Sequence, residues 1–233
     1  MKRTFFITGT DTGAGKTALT ALLAGFLREQ GVRVAALKPV CSGGRDDART
    51  LHRALGGTLT LDQINPWHFR APIAPALAAR QEKRVVKLRQ VLAHIRTVQK
   101  EFDVVLIEGA GGLLSPLGAD FDSRDLICAL RAAPVIVAAN QLGVINHVLL
   151  TLEALPGAVR ARSTVVLMAR PRPDLAAKSN AVLVRQLSLR NVRTMSWFGP
   201  RFSLNRVLAQ PQARQVLKKI CFGEGFGVAG LSD

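Results

Sequence analysis

The 233-residue sequence predicts an α/β fold, with a doubly wound, mostly parallel sheet flanked by helices in a single domain over residues 1–233. Two observations support this prediction. Short β-rich runs alternate with longer stretches of helical periodicity, which is the pattern of βαβ units. Hydrophobic residues make up 48% of the chain and charged residues 21%, so a chain of this length can bury a sizeable core.

The predicted elements follow one another along the chain. Strands are predicted at 4–8, 32–37, 103–107, 135–140, 164–168 and 192–197. Helices are predicted at 16–30, 46–55, from about 76, and at 87–101, 147–155 and 176–189. The first helix carries leucines at helical spacing and stops before Gly31. Residues 59–75 are rich in proline and are predicted to be irregular.

Composition excludes several classes of protein. No apolar run reaches the roughly 18 residues of a membrane span, and the apolar run 4–8 is too short for a signal peptide. We therefore expect a cytoplasmic protein with no membrane partner. Three widely spaced cysteines and four scattered histidines argue against a disulfide framework or a zinc site.

The net charge of +16 allows two interpretations. A basic chain can bind nucleic acid or an anionic membrane, as a P-loop ATPase switch of the partitioning type would. Alternatively, the charge forms a solvated, arginine-rich surface. The arginines are dispersed with no long block, so the sequence favours the second interpretation, and we expect no nucleic-acid partner.

Residues 9–17 read Gly-Thr-Asp-Thr-Gly-Ala-Gly-Lys-Thr and lie between the first predicted strand and helix. This is the context of a P-loop, whose backbone N–H groups and helix N-terminus cradle the phosphates of a nucleoside triphosphate. We predict that Gly13, Ala14 and Gly15 bind the phosphates of ATP. We also predict that Lys16 reaches the β- and γ-phosphates and that Thr17 coordinates Mg²⁺.

The spacing inside this loop indicates a subgroup of P-loop proteins. Five residues, rather than the usual four, separate Gly9 from Gly15. The partitioning-ATPase subgroup carries an additional lysine early in the loop, and positions 10–14 contain none. The sequence therefore argues against that subgroup.

A second cluster follows the second predicted strand. The carboxyl ends of strands in a doubly wound sheet face the ligand crevice, so Lys38 and Ser42 are predicted to lie near the P-loop. Lys38 would stabilise charge on a transferring phosphoryl group. Asp46 and Asp47 come soon after, at the predicted start of a helix. Either one of them, which we take to be Asp47, binds the metal, or the two residues only cap the helix.

A third cluster follows the apolar strand 103–107. Glu108 stands where a second Mg²⁺ ligand is expected, and the glycines after it, including Gly111, let nucleotide and substrate approach the backbone closely. Thr17, Asp47 and Glu108 would together supply the hard oxygen ligands that Mg²⁺ prefers.

A fourth segment, residues 141–147, follows the strand 135–140 and precedes a helix. Free N–H groups at that helix start would hold a carboxylate. His147 is a possible base, but a histidine in a first helical turn is more often structural.

Five short segments, taken together, resemble the dethiobiotin synthetase family. In chain order they are 9–17, Lys-Pro-Val-Cys-Ser-Gly at 38–43, Asn65-Pro66 with Ala-Pro-Ile-Ala-Pro at 71–75, Glu-Gly-Ala-Gly-Gly at 108–112, and Leu-Gly-Val-Ile-Asn-His at 142–147. The match extends over about residues 1–155 and weakens beyond 160. A related ligase that has changed its substrate remains an alternative.

The resemblance implies a ligase that uses 7,8-diaminononanoate, CO₂ and ATP. Lys16, Lys38 and Thr12 would be catalytic, while Thr12 and Ser42 would position the phosphates and a carbamate. Backbone amides at Val144, Ile145 and Asn146 would bind the substrate carboxylate across a homodimer interface.

The sequence departs from the family at several positions. Gln141 replaces a usual lysine, and Ala76 replaces a usual histidine. Met168-Ala169-Arg170 stands where the family has a base-recognising asparagine, and a later Gly-x-x-Pro segment is matched only loosely by residues 196–200. We expect a nucleotide selectivity that is relaxed, or a base that is held differently.

Overall fold

The computed structural model describes residues 2–199 and 202–223. The strands are β1 Arg3–Gly9, β2 Val34–Leu37, β3 Val40–Ser42, β4 Trp67–Phe69, β5 Val104–Gly112, β6 Ala133–Ala139, β7 Thr164–Met168 and β8 Asn191–Met195. The helices are α1 Lys16–Glu29, α2 Asp46–Ala54, α3 Leu61–Ile64, α4 Pro75–Gln81, α5 Leu88–Glu101, α6 Ser123–Leu130, α7 Val144–Glu153, α8 Gly157–Arg160, α9 Asn180–Ser188, α10 Leu204–Leu208 and α11 Pro211–Phe222. A 3₁₀ turn covers Leu175–Lys178.

Six strands form the central sheet in the order β2-β5-β1-β6-β7-β8, and every pair is parallel. Strands β5, β1 and β6 each contain a buried apolar stretch, because a parallel sheet is covered on both faces. Helices α1, α2, α10 and α11 pack together, and α5 packs against α6 as α7 does against α9. This arrangement confirms the predicted doubly wound, mostly parallel fold.

The order of the sheet decides which loops meet. Strand β1 carries the P-loop at its carboxyl end, and it lies between β5 and β6. Consequently the segments after β2 and β5 lie on one side of the P-loop, and those after β6, β7 and β8 lie on the other.

The prediction of irregular structure over residues 59–75 was wrong in part. Thr60 accepts the Gln63 N–H, and the Gln63 side chain accepts the Thr60 N–H, so a capping box starts the short helix α3. Strand β4 then pairs with β3 in a separate two-stranded sheet. Both elements are only three or four residues long, which is too short for a periodic signal.

Three predicted boundaries also need correction. Strand β5 continues past residue 107 to Gly112, because it keeps pairing with β1 as far as Gly9. Helix α7 begins at Val144 rather than at 147. The predicted helix 176–189 is divided by Ser179 into a 3₁₀ turn and α9, which ends where Leu189 adopts a left-handed φ of 53°.

The model contains, among its described residues, no helix of the length and hydrophobicity that a bilayer crossing requires.

Candidate active site

The P-loop between β1 and α1 has the backbone of an anion site. Gly13 and Gly15 have φ of 74° and 99°, a left-handed conformation that disfavours side chains. Gly15 caps α1 without any side-chain hydrogen bond to the first turn, so no side chain covers that turn's N–H groups. At Gly9 a Cβ atom would lie 2.8 Å from the Asp11 carbonyl oxygen, which leaves no room for a side chain.

Lys16 begins α1, and only 6% of it is exposed. Its ammonium donates to the Asp11 carbonyl oxygen at 2.8 Å, so the side chain curls back over the loop. Burial, together with the charge of Lys38, lowers the pKa of Lys16 to about 8. A bound anion would favour the charged form of this lysine.

Lys38 lies just after β2, beside β5. The register pairs Leu37 with Ile107, which sets Lys38 next to Glu108 on the adjacent strand. The Lys38 ammonium, buried at 3% exposure, donates to Glu108 Oε1 at 2.6 Å, Asp47 Oδ2 at 2.9 Å and the Gly109 carbonyl at 3.1 Å. Burial opposes its charge, but the two carboxylates together outweigh burial and hold the pKa of Lys38 above its usual value.

Three oxygen-bearing side chains converge around this ammonium. The Thr17 hydroxyl donates to Glu108 Oε1 at 2.7 Å, and Glu108 Oε2 is buried without a hydrogen-bond partner. Asp47 is half-exposed. Burial raises the pKa of Asp47, but the Lys38 charge and hydrogen bonds from Lys38 and Thr17 hold it below its usual value.

The structure distinguishes Asp47 from Asp46. Asp46 is 94% exposed and pairs with Arg49 on the outer surface of α2. The cap position of α2 is occupied by Arg45, and no side chain caps the helix. Asp47 therefore faces the P-loop cluster and Asp46 does not.

The residues present fit a magnesium ion. Thr17, Asp47 and Glu108 offer hydroxyl and carboxylate oxygens, and the unpartnered Glu108 Oε2 is a buried acceptor that a cation would satisfy. In the part of the chain that the structure describes, no group of three His, Cys, Asp or Glu side chains is placed to hold a metal. Phosphate and water oxygens would have to complete the coordination.

Asn65 was not predicted to have a role in the site, although Asn65-Pro66 is part of the pattern shared with the family. Its fully buried amide donates to the Lys38 carbonyl at 2.6 Å and accepts from Cys41 Sγ and Arg45 Nε at 3.2 Å each. Asn65 therefore ties the start of the Lys38 loop to the start of α2, which carries Asp47. An asparagine before a proline is the only sequence signal, and it does not reveal these long-range partners.

A cavity of about 670 Å³ joins these groups. Its lining includes Thr12, Lys16, Thr17, Lys38, Ser42, Asp47, Glu108 and Gly111. Ser42 donates to the Ile73 carbonyl at 2.5 Å, so its hydroxyl is committed in this structure. Gly111 has a φ of 67°, and a Cβ there would collide with Ser115. The predicted metal residues, the central substrate residues and the predicted phosphate residues other than Ala14 thus meet in one cavity.

The start of α7 lies apart from that cavity. Val144 and His147 line a smaller cavity of about 370 Å³ on the other side of the P-loop, and Ile145 and Asn146 line neither. Gly143 caps α7 with a φ of 90° and without a side-chain hydrogen bond. Within one chain, therefore, the predicted carboxylate-binding amides do not line the cavity that contains Lys38.

The smaller cavity is bordered by the ends of β6, β7 and β8. Its lining includes Gln141, Met168, Ala169, Arg170, Trp197 and Phe198. Arg170 donates to the Gln141 side-chain oxygen, so two of the positions that depart from the family pattern contact each other. Pro200, the last residue of the loosely matched segment, lies outside the described residues.

Comparison with known proteins identifies the family of the chain. A family model described as an AAA domain matches residues 3–213. The ATP-dependent dethiobiotin synthetase BioD of Anaeromyxobacter sp. is 42% identical over 168 residues, covering 70% of this chain and 74% of that protein. The protein of the same name from Bacillus licheniformis is 37% identical over 188 residues, covering 78% and 80%.

Solved structures add a likeness of fold. The structure of pNOB8 ParA bound to nonspecific DNA superposes with a TM-score of 0.58 at 13% identity, covering 95% of this chain and 98% of that one. At that identity the similarity concerns the fold alone, a P-loop protein with a parallel sheet. With two relatives above 30% identity over most of their length, this chain belongs to the family of ATP-dependent dethiobiotin synthetases, which are ligases.

Proposed function

We propose that the chain acts, as a single domain over residues 1–233, as an ATP- and Mg²⁺-dependent ligase. It would carboxylate 7,8-diaminononanoate with CO₂ and close the ring to give dethiobiotin. The observation that carries this proposal is the Lys38 ammonium, enclosed by Glu108, Asp47 and Gly109 in the same cavity as Lys16. The names of the relatives support the same activity.

The proposed reaction has three steps. One amine of the substrate bonds to the carbon of CO₂ and loses a proton to solvent, which gives a carbamate. A carbamate oxygen then attacks the γ-phosphorus of ATP, which releases ADP and leaves a carbamic–phosphoric anhydride. Finally the second amine attacks the carbonyl carbon, phosphate leaves, and loss of a proton from that nitrogen completes the cyclic urea.

The chain's own residues would supply electrostatic stabilisation and positioning for these steps. Lys16 and Lys38 carry positive charge towards the transferring phosphoryl group, where fixed charge is most effective in a buried site. Thr12 lies at the junction of the two cavities, where it would orient the phosphates, and Ser42 would orient the carbamate after exchanging its bond to Ile73. Gly111 keeps that part of the cavity free of side chain.

Magnesium would be held by Thr17, Asp47 and Glu108. When bound, it would neutralise charge on the phosphate oxygens. Glu108 has a separate role within the chain, because its carboxylate fixes the Lys38 ammonium and accepts the Thr17 hydroxyl.

We also propose a homodimer. Several large apolar side chains are exposed on or next to α7 and α9 and on the turn before α9: Leu142, Leu150, Leu175, Val182, Leu183, Leu187 and Leu189. We call this set the leucine face. An apolar surface of this kind is typical of a protein interface. A second copy on this face would leave the start of α7 near the interface, where Val144, Ile145 and Asn146 would bind the substrate carboxylate.

Product analysis tests the proposed activity. The protein is incubated with diaminononanoate, ¹³C-bicarbonate and Mg-ATP, and mass spectrometry should detect dethiobiotin carrying one ¹³C. Lys16→Ala should remove the product while circular dichroism and thermal unfolding stay near wild type, because this lysine's charge serves the ligand. Lys218→Ala, an exposed lysine on α11, is the matched control and should retain activity. A folded wild-type dimer that forms no product would overturn the assignment.

A further inference from the structure

Helix α2, which carries Asp47, follows a connection that does not by itself fix the position of the helix. Gly43 and Gly44 join β3 to the start of α2 with φ of 77° and 112°, and glycine has the greatest backbone freedom of any residue. No side chain caps the helix. Because Asp47 is the second residue of α2, its place beside Lys38 depends on what holds this end of the helix.

Arg45, at the cap position of α2, makes side-chain contacts that hold this end. Its Nη2 donates to the Leu61 carbonyl and to Asp62 Oδ1, both at 2.8 Å, and to the Asn65 carbonyl at 3.0 Å. Its Nε donates to Asn65 Oδ1 at 3.2 Å. All four acceptors belong to α3 or to Asn65, the residue that ends it. Arg45 therefore joins α2 to α3 through several donors of one planar group, which a lysine cannot reproduce.

Helix α3 is also joined to the loop that carries Lys38. The Lys38 N–H donates to the Ile64 carbonyl at 2.9 Å, and the Asn65 amide donates to the Lys38 carbonyl at 2.6 Å. The backbone of Lys38 and the start of α2 are thus held by the same short helix. The Lys38 ammonium and the Asp47 carboxylate, which lie 2.9 Å apart, are placed against each other by this common support.

We propose that Arg45 is a positioning residue for the reaction, which holds Asp47 against Lys38 and where Asp47 would bind Mg²⁺. This inference rests on the proposed function, because it concerns the metal of the same site. Arg45 does not line the cavity that contains Lys38, so it would act through Asp47 rather than by contact with the nucleotide.

The charge of Arg45 gives the expected effect a definite sign. A cation close to a carboxylate that binds a metal repels the metal, so loss of the charge alone would tighten metal binding. Loss of positioning acts in the opposite direction, because groups that orient metal ligands typically contribute about 10–100-fold in metal affinity or activity. Weaker metal binding without Arg45 would therefore report the position of Asp47 and not the charge.

Arg49 provides a matched control on the same helix. It lies one turn further along α2 and pairs with Asp46 at 2.7 Å on the exposed surface. Arg49→Met removes one positive charge from α2 and leaves the contacts with α3 in place. Arg45→Met removes the same charge together with those contacts, and it keeps an unbranched side chain.

Metal binding can be measured without turnover. Each variant is titrated with Mn²⁺ in the presence of a non-hydrolysable ATP analogue, and electron paramagnetic resonance measures the free ion. Calorimetry with the same analogue in EDTA gives the dissociation constant without metal. Arg45→Met should weaken Mn²⁺ binding about 10–100-fold and change the metal-free constant by less than about twofold, because the P-loop is unaltered. Arg45→Lys, which keeps the charge without the planar group, should give an intermediate loss.

The outcomes separate this inference from the proposed function. Unchanged or tighter Mn²⁺ binding in Arg45→Met, or an equal loss in Arg49→Met, overturns the inference and leaves the ligase assignment intact. A parallel loss of metal-free nucleotide binding overturns it as well, because the disturbance is then general. If circular dichroism shows that Arg45→Met is unfolded, Arg45→Lys decides, and wild-type affinity for Mn²⁺ overturns the inference. A selective loss of Mn²⁺ binding supports it, even if the ligase assay with diaminononanoate gives no product.

Discussion

The two sides of the P-loop differ in how their polar groups are satisfied. On one side, a group that we call the phosphate cluster consists of Lys16, Thr17, Lys38, Asp47 and Glu108, whose charges are mostly buried and hydrogen-bonded within one chain. On the other side, the small cavity and the leucine face present mainly apolar surface. The phosphate cluster is therefore pre-organised within one chain, whereas the apolar surfaces would be covered only by a ligand or a second copy of the chain.

Energetics explain the difference. Removing one partner of a buried ion pair leaves an unpaired charge and strongly destabilises the folded protein. The residues of the phosphate cluster therefore tolerate few substitutions. Substitution of one side chain in an apolar contact lowers the free energy of unfolding by less. Substitution of an exposed apolar side chain changes the stability of the monomer very little. Substitutions in the phosphate cluster should therefore change both activity and stability. Substitutions in the small cavity or on the leucine face should change ligand affinity or dimerisation.

The largest effect is expected for Lys38→Met. It should lower kcat at least about a hundredfold, because a preorganised charge is lost, and lower the free energy of unfolding by about 3–5 kcal/mol, because Glu108 is left unpaired. Steady-state kinetics and urea unfolding measure the two losses. The double variant Lys38→Met with Glu108→Gln should recover stability but not activity. A single variant with normal kcat would remove Lys38 from the mechanism.

A smaller effect, on the other side of the comparison, is expected for Leu150→Asp. Placing a charge within the leucine face should weaken dimerisation by at least about thirtyfold, which corresponds to an interface hot spot of about 2 kcal/mol. Light scattering with size-exclusion chromatography over a dilution series measures it. Val85→Asp, at another exposed apolar position, is the matched control and should leave the dimer unchanged. An active monomeric wild type at micromolar concentration would contradict the shared site.

The smallest expected effect, at most about tenfold for one pH unit, concerns pH. Because burial lowers the pKa of Lys16 to about 8 and bound phosphates favour its charged form, nucleotide binding above pH 8 must take up a proton. The dissociation constant should rise by up to about tenfold per pH unit between pH 8 and the higher pKa of the complex, and stay level below pH 8. Calorimetry in buffers of different ionisation enthalpy should detect the proton. An affinity independent of pH from 7 to 10 would show that Lys16 stays charged without ligand.

The lowered pKa of Lys16 also makes the free energy of unfolding depend on pH. The folded pKa of Lys16 is below its unfolded value of 10.5, so between about pH 8 and 10.5 the unfolded chain binds more protons. The contribution of Lys16 therefore becomes less destabilising as pH rises through that window. Burial raises the pKa of Cys221 to about 12, which acts in the opposite direction above pH 9. Only the difference between wild type and Lys16→Ala isolates the lysine.

The sequence by itself determined the fold and the phosphate cluster apart from the choice of Asp47. Alternating strand and helix patterns specify a parallel sheet, and motifs after its strands must meet at the carboxyl edge, so the proximity of Lys16, Lys38 and Glu108 followed from topology. Glycines with left-handed φ mark the P-loop because other residues rarely tolerate that conformation. Such signals are local and therefore readable from sequence.

Only the tertiary structure decided the remaining features. It selected Asp47 over Asp46 because the helical turn directs the two side chains differently, and it showed that Asn65 connects Lys38 to Arg45. It also placed Trp197 and Met168 around one cavity, and it left several leucines exposed on and next to α7 and α9, which pack against each other. These features join residues tens of positions apart in the chain, and no periodic or local pattern records which distant side chains will become neighbours.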